Sequence, residues 1–295
     1  MTDFGKEWQL AGRRKDAARK SKTRKRSPPS ARCQEEDLDI EKTVKRIKDT
    51  TSELGCEEFW QKWKEQILVA SSFSGFFEGE RTDHSFEEPE RCQEGRPCQQ
   101  LECVCYGLGS FSSCPSARFQ LAMLLLLLDA RQIPLKNCLV FDPIFSNGEK
   151  MVLKKLGLNV LSENEEGKRL ATKPTIFYLM HCGKALYNNI LWKNWSTKCL
   201  SLIMIIGNGF TGMKDRSIDR EFQRDYSYMN QALDVCEEKQ LPCPTRFIDV
   251  FGDTATITFP LGNLSKLPQS TWVEPQEPEY QHCPDLEIIL KKSQM

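Results

Sequence analysis

Apolar residues recur along the chain with two different periods, which separates a helical N-terminal part from an alternating α/β part. Between residues 39 and 73 they recur at steps of three and four, with a break near Gly55. This period predicts two amphipathic helices packed on the core. From residue 101 onward, short apolar runs alternate with longer segments of helical period. Such alternation is typical of a Rossmann-like α/β fold with a doubly wound, mostly parallel sheet.

The apolar runs predict the strands of this sheet. The run 200–206 is nearly continuous in apolar character, as expected for a strand buried on both faces of a parallel sheet. The alternating residues 254–259 predict one more strand, which we place at an edge. The predicted strands are 102–106, 138–142, 158–161, 175–179, 200–206 and 245–250, and the predicted helices are 115–131, 147–156, 184–193 and 217–239.

Shifts in composition divide the chain into five segments. Residues 1–38 are rich in Lys and Arg and poor in aliphatic residues, and we expect a disordered basic tail there. The helices follow at 39–73, and the Gly, Glu and Pro residues at 74–100 predict a linker or loop. We place the α/β domain at 101–265 and a C-terminal extension at 266–295.

Charge is spread unevenly along the chain. The 41 Lys and Arg residues equal the 41 Asp and Glu residues in number, but the stretch 13–26 is strongly basic, so the remainder is acidic. An acidic folded part argues against a broad nucleic-acid-binding face. We therefore expect protein partners or a small-molecule ligand rather than direct nucleic-acid binding. The basic stretch is a candidate nuclear localisation signal, with a solvated tail as the alternative.

The sequence has neither the pattern of a signal peptide nor that of a membrane span. Its longest apolar run, 121–128, is too short to cross a bilayer. We expect no membrane insertion and a cytoplasmic location, with the nucleus as a second location. The 13 cysteines are an odd number and several fall in predicted strands, so we interpret them as thiols in a reducing compartment.

The glycine turn after the first predicted strand is the main candidate binding site. The sequence Tyr106-Gly-Leu-Gly-Ser110 leads toward a helix that begins near Pro115. Glycine permits positive φ and close backbone approach, and a helix N-terminus favours anions. The third glycine of the dinucleotide fingerprint is absent, so a tight structural turn is the alternative. Asp142 ends the second predicted strand, where an acidic residue binds a ribose hydroxyl in nucleotide-binding domains.

Later strands also end in polar residues. His181 is a candidate general acid or base, because imidazole titrates nearest to neutral pH. A histidine hydrogen-bonded to the backbone is the alternative. Its neighbour Cys182 need not form a dyad with it, since adjacent residues of an extended segment point in opposite directions. Asn188 and Asn189 are poor mid-helix residues, which predicts either hydrogen bonding within a pocket or a solvated helix turn.

The positions of the cysteines indicate two further candidate sites, one for zinc and one for haem. One His and four Cys residues lie between positions 84 and 105, but the paired Cys-x-x-Cys spacing of structural zinc is missing, so we expect no metal site. A cysteine thiolate is also an axial ligand of haem. Haem binding is therefore a candidate, with ordinary loop chemistry as the alternative. The Cys-Pro dipeptides that prompt it begin at Cys114, Cys243 and Cys283.

Five longer motifs follow one another along the α/β part. They are Tyr106-Gly-Leu-Gly-Ser-Phe, Asp142-Pro-Ile-Phe, Leu161-Ser-Glu-Asn-Glu-Glu-Gly-Lys168, His181-Cys-Gly-Lys-Ala-Leu-Tyr-Asn-Asn189 and Ile206-Gly-Asn. Together they resemble the SRR-like family, named after a plant protein called sensitivity to red light reduced. The resemblance covers residues 95–260 and implies candidate ligand-binding residues at Gly107, Gly109, Ser110, Asp142, Glu163, Asn164, Glu165, His181, Gly183, Asn188 and Asn189.

The resemblance implies a regulatory role and no established reaction. Members of the family are linked to clock output and light signalling in plants, and the animal branch to control of haem biosynthesis and of clock-gene expression. We therefore expect a regulatory protein with a ligand- or partner-binding pocket, and a non-catalytic role is favoured. One alternative is a nucleotide- or S-adenosylmethionine-dependent transferase, in which residues 107–110 hold the cofactor, Asp142 its ribose, and His181 is the base. The other is a haem sensor that uses the Cys-Pro thiolates.

Overall fold

A seven-stranded sheet with helices on both faces forms the centre of the described part of the chain. The structure, a computed structural model, describes residues 38–70, 101–273 and 275–280, together with Cys283, Leu286 and Ile288. The strands are β1 Glu102–Tyr106, β2 Cys138–Phe141, β3 Asn159–Val160, β4 Thr175–Leu179, β5 Ile203–Asn208, β6 Glu237–Gln240 and β7 Thr254–Thr258. The helices are α1 Ile40–Gly55, α2 Glu58–Ala70, α3 Pro115–Ala130, α4 Asn147–Lys155, α5 Lys184–Lys193, α6 Thr197–Leu200, α7 Phe210–Asp215, α8 Asp219–Asp225, α9 Ser227–Ala232, α10 Ile248–Phe251 and α11 Leu261–Leu264.

The strand order is β3-β2-β1-β4-β5-β7-β6. Neighbours among β1 to β5 pair in parallel, whereas β7 lies antiparallel between β5 and β6. The chain first moves outward from β1 to β3 and then returns to place β4 on the other side of β1, so the order reverses between β1 and β4. In open α/β sheets, ligands bind at the carboxyl ends of the strands at this reversal. The predicted α/β fold with a mostly parallel sheet is confirmed.

The two faces of the sheet have separate cores because alternate strand residues point to opposite faces. On β1, Cys103 and Cys105 belong to one core, and Val104 and Tyr106 belong to the other. Helices α1 to α4 contribute to the first core, and helices α5, α8 and α9 contribute to the second. The strand thiols of Cys103, Cys105 and Cys138 are buried as predicted, all in the first core, whereas Cys199 lies in α6 and is only partly buried.

The two helices predicted at the N-terminal side are present as α1 and α2. Asp39 caps α1 by accepting a hydrogen bond from the backbone N–H of Lys42 at 2.9 Å. In α2, Trp63 donates its indole N–H to the carbonyl oxygen of Pro242 at 2.7 Å, and its ring contacts Phe251 at a centroid distance of 5.5 Å. These contacts attach α2 to the segment that leads into β7.

Two of the predicted strands differ from the structure. The strand predicted at 245–250 is wrong, since this segment forms helical turns that end in α10. Phe247 and Phe251 are four residues apart and both pack on Phe59, and a helical turn places them on one face. The strand predicted at 200–206 begins only at Ile203, because α6 occupies the residues before it.

The long helix predicted at 217–239 is also wrong. It is divided into α8, α9 and the strand β6, with a non-helical Tyr226 at φ −125° and ψ 47° between the two helices. The strand predicted at 254–259 exists as β7 but is internal, because β6 pairs with it and takes the edge position. Predictions for residues 1–37 and 74–100 lie outside the described residues. Among the described helices, none is both long enough and apolar enough to cross a membrane.

Candidate functional site

A cavity of about 280 Å³ lies where the strand order reverses. The carboxyl ends of β1, β2 and β4 form its floor, and the first turn of α5 and the loop after β3 form its sides. The described C-terminal residues contribute one apolar side chain. The lining consists of Tyr106, Gly107, Phe141, Asp142, Pro143, Asn164, Gly167, His181, Cys182, Gly183, Leu186 and Ile288.

The glycine turn after β1 has a backbone conformation that needs glycine at two positions. Gly107 has φ +65° and Gly109 has φ +81°, a region that other residues enter only with strain. A Cβ atom on Gly107 would lie 2.5 Å from Sγ of Cys182. The thiol of Cys182 also lies 3.4 Å from the carbonyl oxygen of Tyr106. The turn is therefore packed directly against the end of β4.

Asp142 fixes this turn from the end of β2. Its Oδ2 accepts a hydrogen bond from the backbone N–H of Gly109 at 2.8 Å, and its Oδ1 accepts one from Ile144 at 2.9 Å. The side chain lines the cavity and is 7% exposed. A carboxylate oxygen that accepts one hydrogen bond can accept a second, so Asp142 can hold the turn and still accept from a ligand hydroxyl.

Glu149 is a second buried carboxylate, located behind the glycine turn and 1% exposed. Its Oε1 accepts from the hydroxyls of Ser110 and Ser112 at 2.8 and 2.9 Å and from the backbone N–H of Ser112 at 3.0 Å. Its Oε2 accepts from the backbone N–H of Ser146, which caps α4. Burial raises the pKa of Glu149, but these hydrogen bonds outweigh burial and lower it overall.

The end of β4 and the start of α5 form the opposite side of the cavity. His181 is exposed and has a positive φ of 53°. Its Nε2 lies 3.0 Å from the carbonyl oxygen of Val250, so this nitrogen carries a proton and the neutral ring has Nδ1 as its acceptor. Gly183 is the N-cap residue of α5, and within the described chain no side chain caps that turn. Gly183 and Leu186 of this turn line the cavity together with His181.

The loop after β3 is held by an ion pair. Glu165 accepts a hydrogen bond from the hydroxyl of Tyr106 and two from the guanidinium group of Arg169, at 2.9 and 2.7 Å. Burial and the Glu165 carboxylate both raise the pKa of Tyr106. Within this loop Asn164 reaches the cavity, and its Oδ1 accepts from the backbone N–H of Glu166 at 2.9 Å. Glu163 is exposed and does not contribute to the lining.

Asn188 and Asn189 are fully buried and lie outside the lining of the cavity. Oδ1 of Asn188 accepts from the backbone N–H groups of Tyr228 and Met229 at 3.1 and 3.2 Å, so it positions α9. Oδ1 of Asn189 accepts from the hydroxyl of Tyr280 at 2.7 Å, and the amide of Asn188 donates to that hydroxyl at 3.1 Å. The polar role that their mid-helix position predicts is met by bonds within the protein, which attach the C-terminal segment to α5.

The structure brings together five of the candidate ligand-binding residues, which come from four of the sequence motifs. These are Gly107, Asp142, Asn164, His181 and Gly183. The other six, Gly109, Ser110, Glu163, Glu165, Asn188 and Asn189, lie outside the lining, and most of them support the loops that form it. Sequence reasoning missed Glu149, although the capping-box spacing Ser146-x-x-Glu149 was readable.

The three cysteines of the Cys-Pro dipeptides lie at different places in the fold and do not form one site. Cys114 is exposed at the N-cap of α3, Cys243 packs against the first core, and Cys283 packs against the second core on the opposite face of the sheet. The candidate zinc ligands His84, Cys92 and Cys98 lie outside the described residues. Within the described ranges, no three His, Cys, Asp or Glu residues are arranged to hold a metal ion.

The fold and the cavity define a Rossmann-like α/β protein with a ligand-sized crevice at the reversal of its strand order. The sequence model of the SRR1 domain matches residues 58–281. The chain is 39% identical over 239 residues to the SRR1-like protein of Mus musculus, covering 76% of this chain and 93% of the relative. The chain belongs to the SRR1 domain family, which confirms the resemblance seen in the motifs.

Two further relatives extend the comparison beyond mammals. The SRR1-like protein of Drosophila melanogaster is 28% identical over 269 residues, which cover 90% of this chain and 86% of the relative. Protein SENSITIVITY TO RED LIGHT REDUCED 1 of Arabidopsis thaliana is 42% identical over 123 residues, covering 41% and 45% respectively. No solved structure matches the chain.

Proposed function

We propose that this protein is a regulatory protein that binds a small molecule in the cavity at the carboxyl ends of β1, β2 and β4. One observation carries the proposal: five candidate residues from four separate motifs line one cavity at the strand-order reversal. This is the position at which open α/β sheets bind ligands. Asp142, Asn164 and His181 supply polar groups, and Phe141, Leu186 and Ile288 supply apolar contact.

The cellular part of the proposal comes from the family resemblance. It consists of control of haem biosynthesis and of clock-gene expression, exerted in the cytoplasm or the nucleus. The Arabidopsis relative is named for a reduced sensitivity to red light. From that name we extend only a role in regulation to this chain. In this scheme, the ligand changes the surface around the cavity and a protein partner binds one of the two states.

A methyltransferase is the second candidate function. A specific observation favours it, namely a seven-stranded sheet in which an antiparallel β7 lies between β5 and β6. This is the strand order of S-adenosylmethionine-dependent methyltransferases, although fold likeness is an analogy that the site must support. In this candidate, Asp142 accepts hydrogen bonds from the ribose, and Nδ1 of His181 is the base. A haem held by two of the Cys-Pro thiolates is not favoured, because the sheet separates Cys243 from Cys283.

Thermal unfolding of the full chain tests the proposal. The panel contains S-adenosylmethionine, S-adenosylhomocysteine, NAD, ATP and haem, each added separately. A ligand at a hundred times its Kd adds about 2.7 kcal/mol of stability, which shifts Tm by several degrees. We expect one of the nucleosides or nucleotides to raise Tm in the native protein and to raise it less in His181→Gly. Glycine suits the positive φ at position 181, so this variant keeps the backbone while it removes the imidazole.

The control is Lys184→Ala, because Lys184 starts α5 next to the cavity but is absent from its lining. Equal shifts in the native protein and both variants would place the ligand elsewhere. No shift with any member of the panel would count against a nucleotide-like or haem ligand. For the methyltransferase candidate, the added readout is conversion of S-adenosylmethionine to S-adenosylhomocysteine in the presence of cell extract.

A further inference from the structure

We infer that the ligand of this cavity is a nucleoside that carries no phosphate group, with a neutral or cationic substituent in its place. The inference rests on the proposed function, since it assumes that the cavity binds a small molecule. It is carried by the relation between the glycine turn and two carboxylates of the protein, Asp142 and Glu149.

In dinucleotide- and nucleotide-binding domains, the turn after the first strand binds phosphate through its backbone N–H groups. Here four donors of that turn are already bonded to carboxylates of the protein. The N–H of Gly109 donates to Asp142 at 2.8 Å. The N–H of Ser112 and the hydroxyls of Ser110 and Ser112 all donate to one oxygen of Glu149, at 2.8 to 3.0 Å. Two carboxylates therefore occupy four of the donor groups that this turn would offer to a phosphate.

The charges around the cavity also disfavour phosphate. Of the described residues that form the lining, none is Lys or Arg. The cations of the neighbouring loop are bound to carboxylates: Lys168 lies 2.7 Å from both Glu166 and Glu277, and Arg169 is bound to Glu165. The low pKa of Glu149 keeps that carboxylate negative at neutral pH. A phosphate brought to the turn would meet negative charge on two sides without a cation to offset it.

The remaining features fit a nucleoside. Oxygens of Asp142 can each accept one more hydrogen bond, as the hydroxyls of a ribose would require. Phe141 and Leu186 supply apolar surface for a base. The volume of about 280 Å³ is at the lower end of ligand pockets, which span roughly 300–1,000 Å³, and suits one nucleoside rather than two. Because a cationic substituent would be attracted by Asp142, sulfonium nucleosides belong to the same class.

Calorimetric titration of the full chain with matched pairs of ligands tests the inference. The pairs are adenosine with AMP, and S-adenosylmethionine with ATP. We expect at least one phosphate-free member to bind, and its phosphorylated partner to bind at least tenfold more weakly. Protection of Cys182 from alkylation by the bound nucleoside, read by mass spectrometry, locates the ligand in the cavity, because Cys182 is part of the lining.

One variant and its control test whether Glu149 causes the preference for adenosine over AMP. Glu149→Gln removes the negative charge and keeps the size of the side chain, so we expect the preference for adenosine over AMP to fall. Glu65→Gln, a matched change on an exposed carboxylate of α2 that is absent from the lining, is expected to leave this preference unchanged. If Glu149→Gln does not fold, the comparison of matched ligands in the native protein still tests whether the cavity prefers a ligand without phosphate. AMP or ATP binding as tightly as its partner would overturn the inference and leave the proposed function standing. A complete lack of binding of all four compounds would overturn the inference and would count against any nucleotide-like ligand in the proposed function.

Discussion

The backbone N–H of Gly109 lies 2.8 Å from Oδ2 of Asp142, so a side chain at the end of β2 determines the shape of the turn that follows β1. The other oxygen of Asp142 accepts from Ile144, which fixes the carboxylate itself. Asp142 therefore shapes the cavity before it can contact any ligand. A loss of ligand binding after replacement of Asp142 has to be separated from a loss of the turn.

Replacement of Asp142 is expected to lower the free energy of unfolding. Asp142→Ala removes two hydrogen bonds to a charged acceptor and should cost about 2 to 4 kcal/mol, whereas Asp142→Asn keeps one acceptor oxygen and should cost roughly half as much. Urea unfolding measures both. Asp219→Asn, on an exposed carboxylate, is the control and should stay within about 0.5 kcal/mol of the native protein. An unchanged stability of Asp142→Ala would contradict the role assigned to the turn.

Gly107 and Cys182 should be coupled in a double-mutant cycle. Gly107→Ala introduces a Cβ atom 2.5 Å from Sγ of Cys182 at a φ of +65°. We expect a cost of about 1 kcal/mol from the backbone and about 1 to 3 kcal/mol from the steric contact. Cys182→Ala removes the sulfur, and the remaining Cβ atom at 3.9 Å is an ordinary contact. The double variant should therefore recover the steric part only, and strictly additive costs would refute this explanation.

The hydroxyl of Tyr280 should stabilise the attachment of the C-terminal segment. It bonds to both Asn188 and Asn189, which are fully buried. Tyr280→Phe leaves these amides without that partner and should cost about 1 to 3 kcal/mol. Tyr226→Phe is the matched control, because the one contact of its hydroxyl among the described residues is a long one of 3.9 Å with Sγ of Cys283. Thermal unfolding distinguishes the two, and an equal effect would argue against the Asn188–Asn189–Tyr280 network.

Glu149 should make stability depend on pH in the acid range. Its pKa is lowered in the folded protein and is about 4.3 in the unfolded chain. The stabilisation is therefore fully present above the unfolded value and is lost as pH falls through the folded value. Denaturant unfolding at several pH values between 7 and 3 measures the effect. The native protein should have a larger free energy of unfolding than Glu149→Gln at pH 7, and this difference should shrink toward pH 3. A difference that is constant over this range would contradict the prediction.

The cysteines of the first core should be protected from thiol reagents in the folded state. Cys103 and Cys105 are fully buried, and their pKa values are raised, for Cys103 by the neighbouring thiol of Cys138 and by burial, and for Cys105 by burial. Both effects slow reaction, since the thiolate is the reactive form. Among the cysteines that the structure describes, Cys56 and Cys114 are exposed and should react first. Mass spectrometry after brief alkylation measures this order, and early modification of Cys103 would mean that the sheet opens readily.

The sequence allowed the central sheet to be predicted because β1, β4 and β5 are buried on both faces and are therefore mostly apolar. It did not allow β6 to be predicted, since Glu237–Gln240 is a charged edge strand with no apolar alternation. The segment 245–250 has β-like composition, but Phe247 and Phe251 bury their rings against α2, and this tertiary contact requires helical turns. Tertiary contact outweighed local preference in that segment.

The site was partly predictable for a similar reason. Strand ends follow from the sheet, so Asp142 and His181 could be placed at one edge from their position in the sequence alone. Glu149 and Tyr280 could not be linked to the site in this way, because their partners are distant in sequence and their bonds depend on how loops pack. Asn188 and Asn189 were correctly singled out as unusual in a helix, while the direction of their side chains depends on packing around α5.

The internal position of β7 has a consequence for the order in which a ribosome completes this fold. β6 is synthesised before β7, yet β7 is its neighbour in the sheet, so residues 237–240 have no strand to pair with until residues 254–258 have emerged. Helix α2, which is made near the beginning of the described chain, also waits for Pro242 and Phe251 before its tryptophan is buried. A nascent chain therefore keeps the tryptophan of α2 without these two partners until most of the sheet has been synthesised.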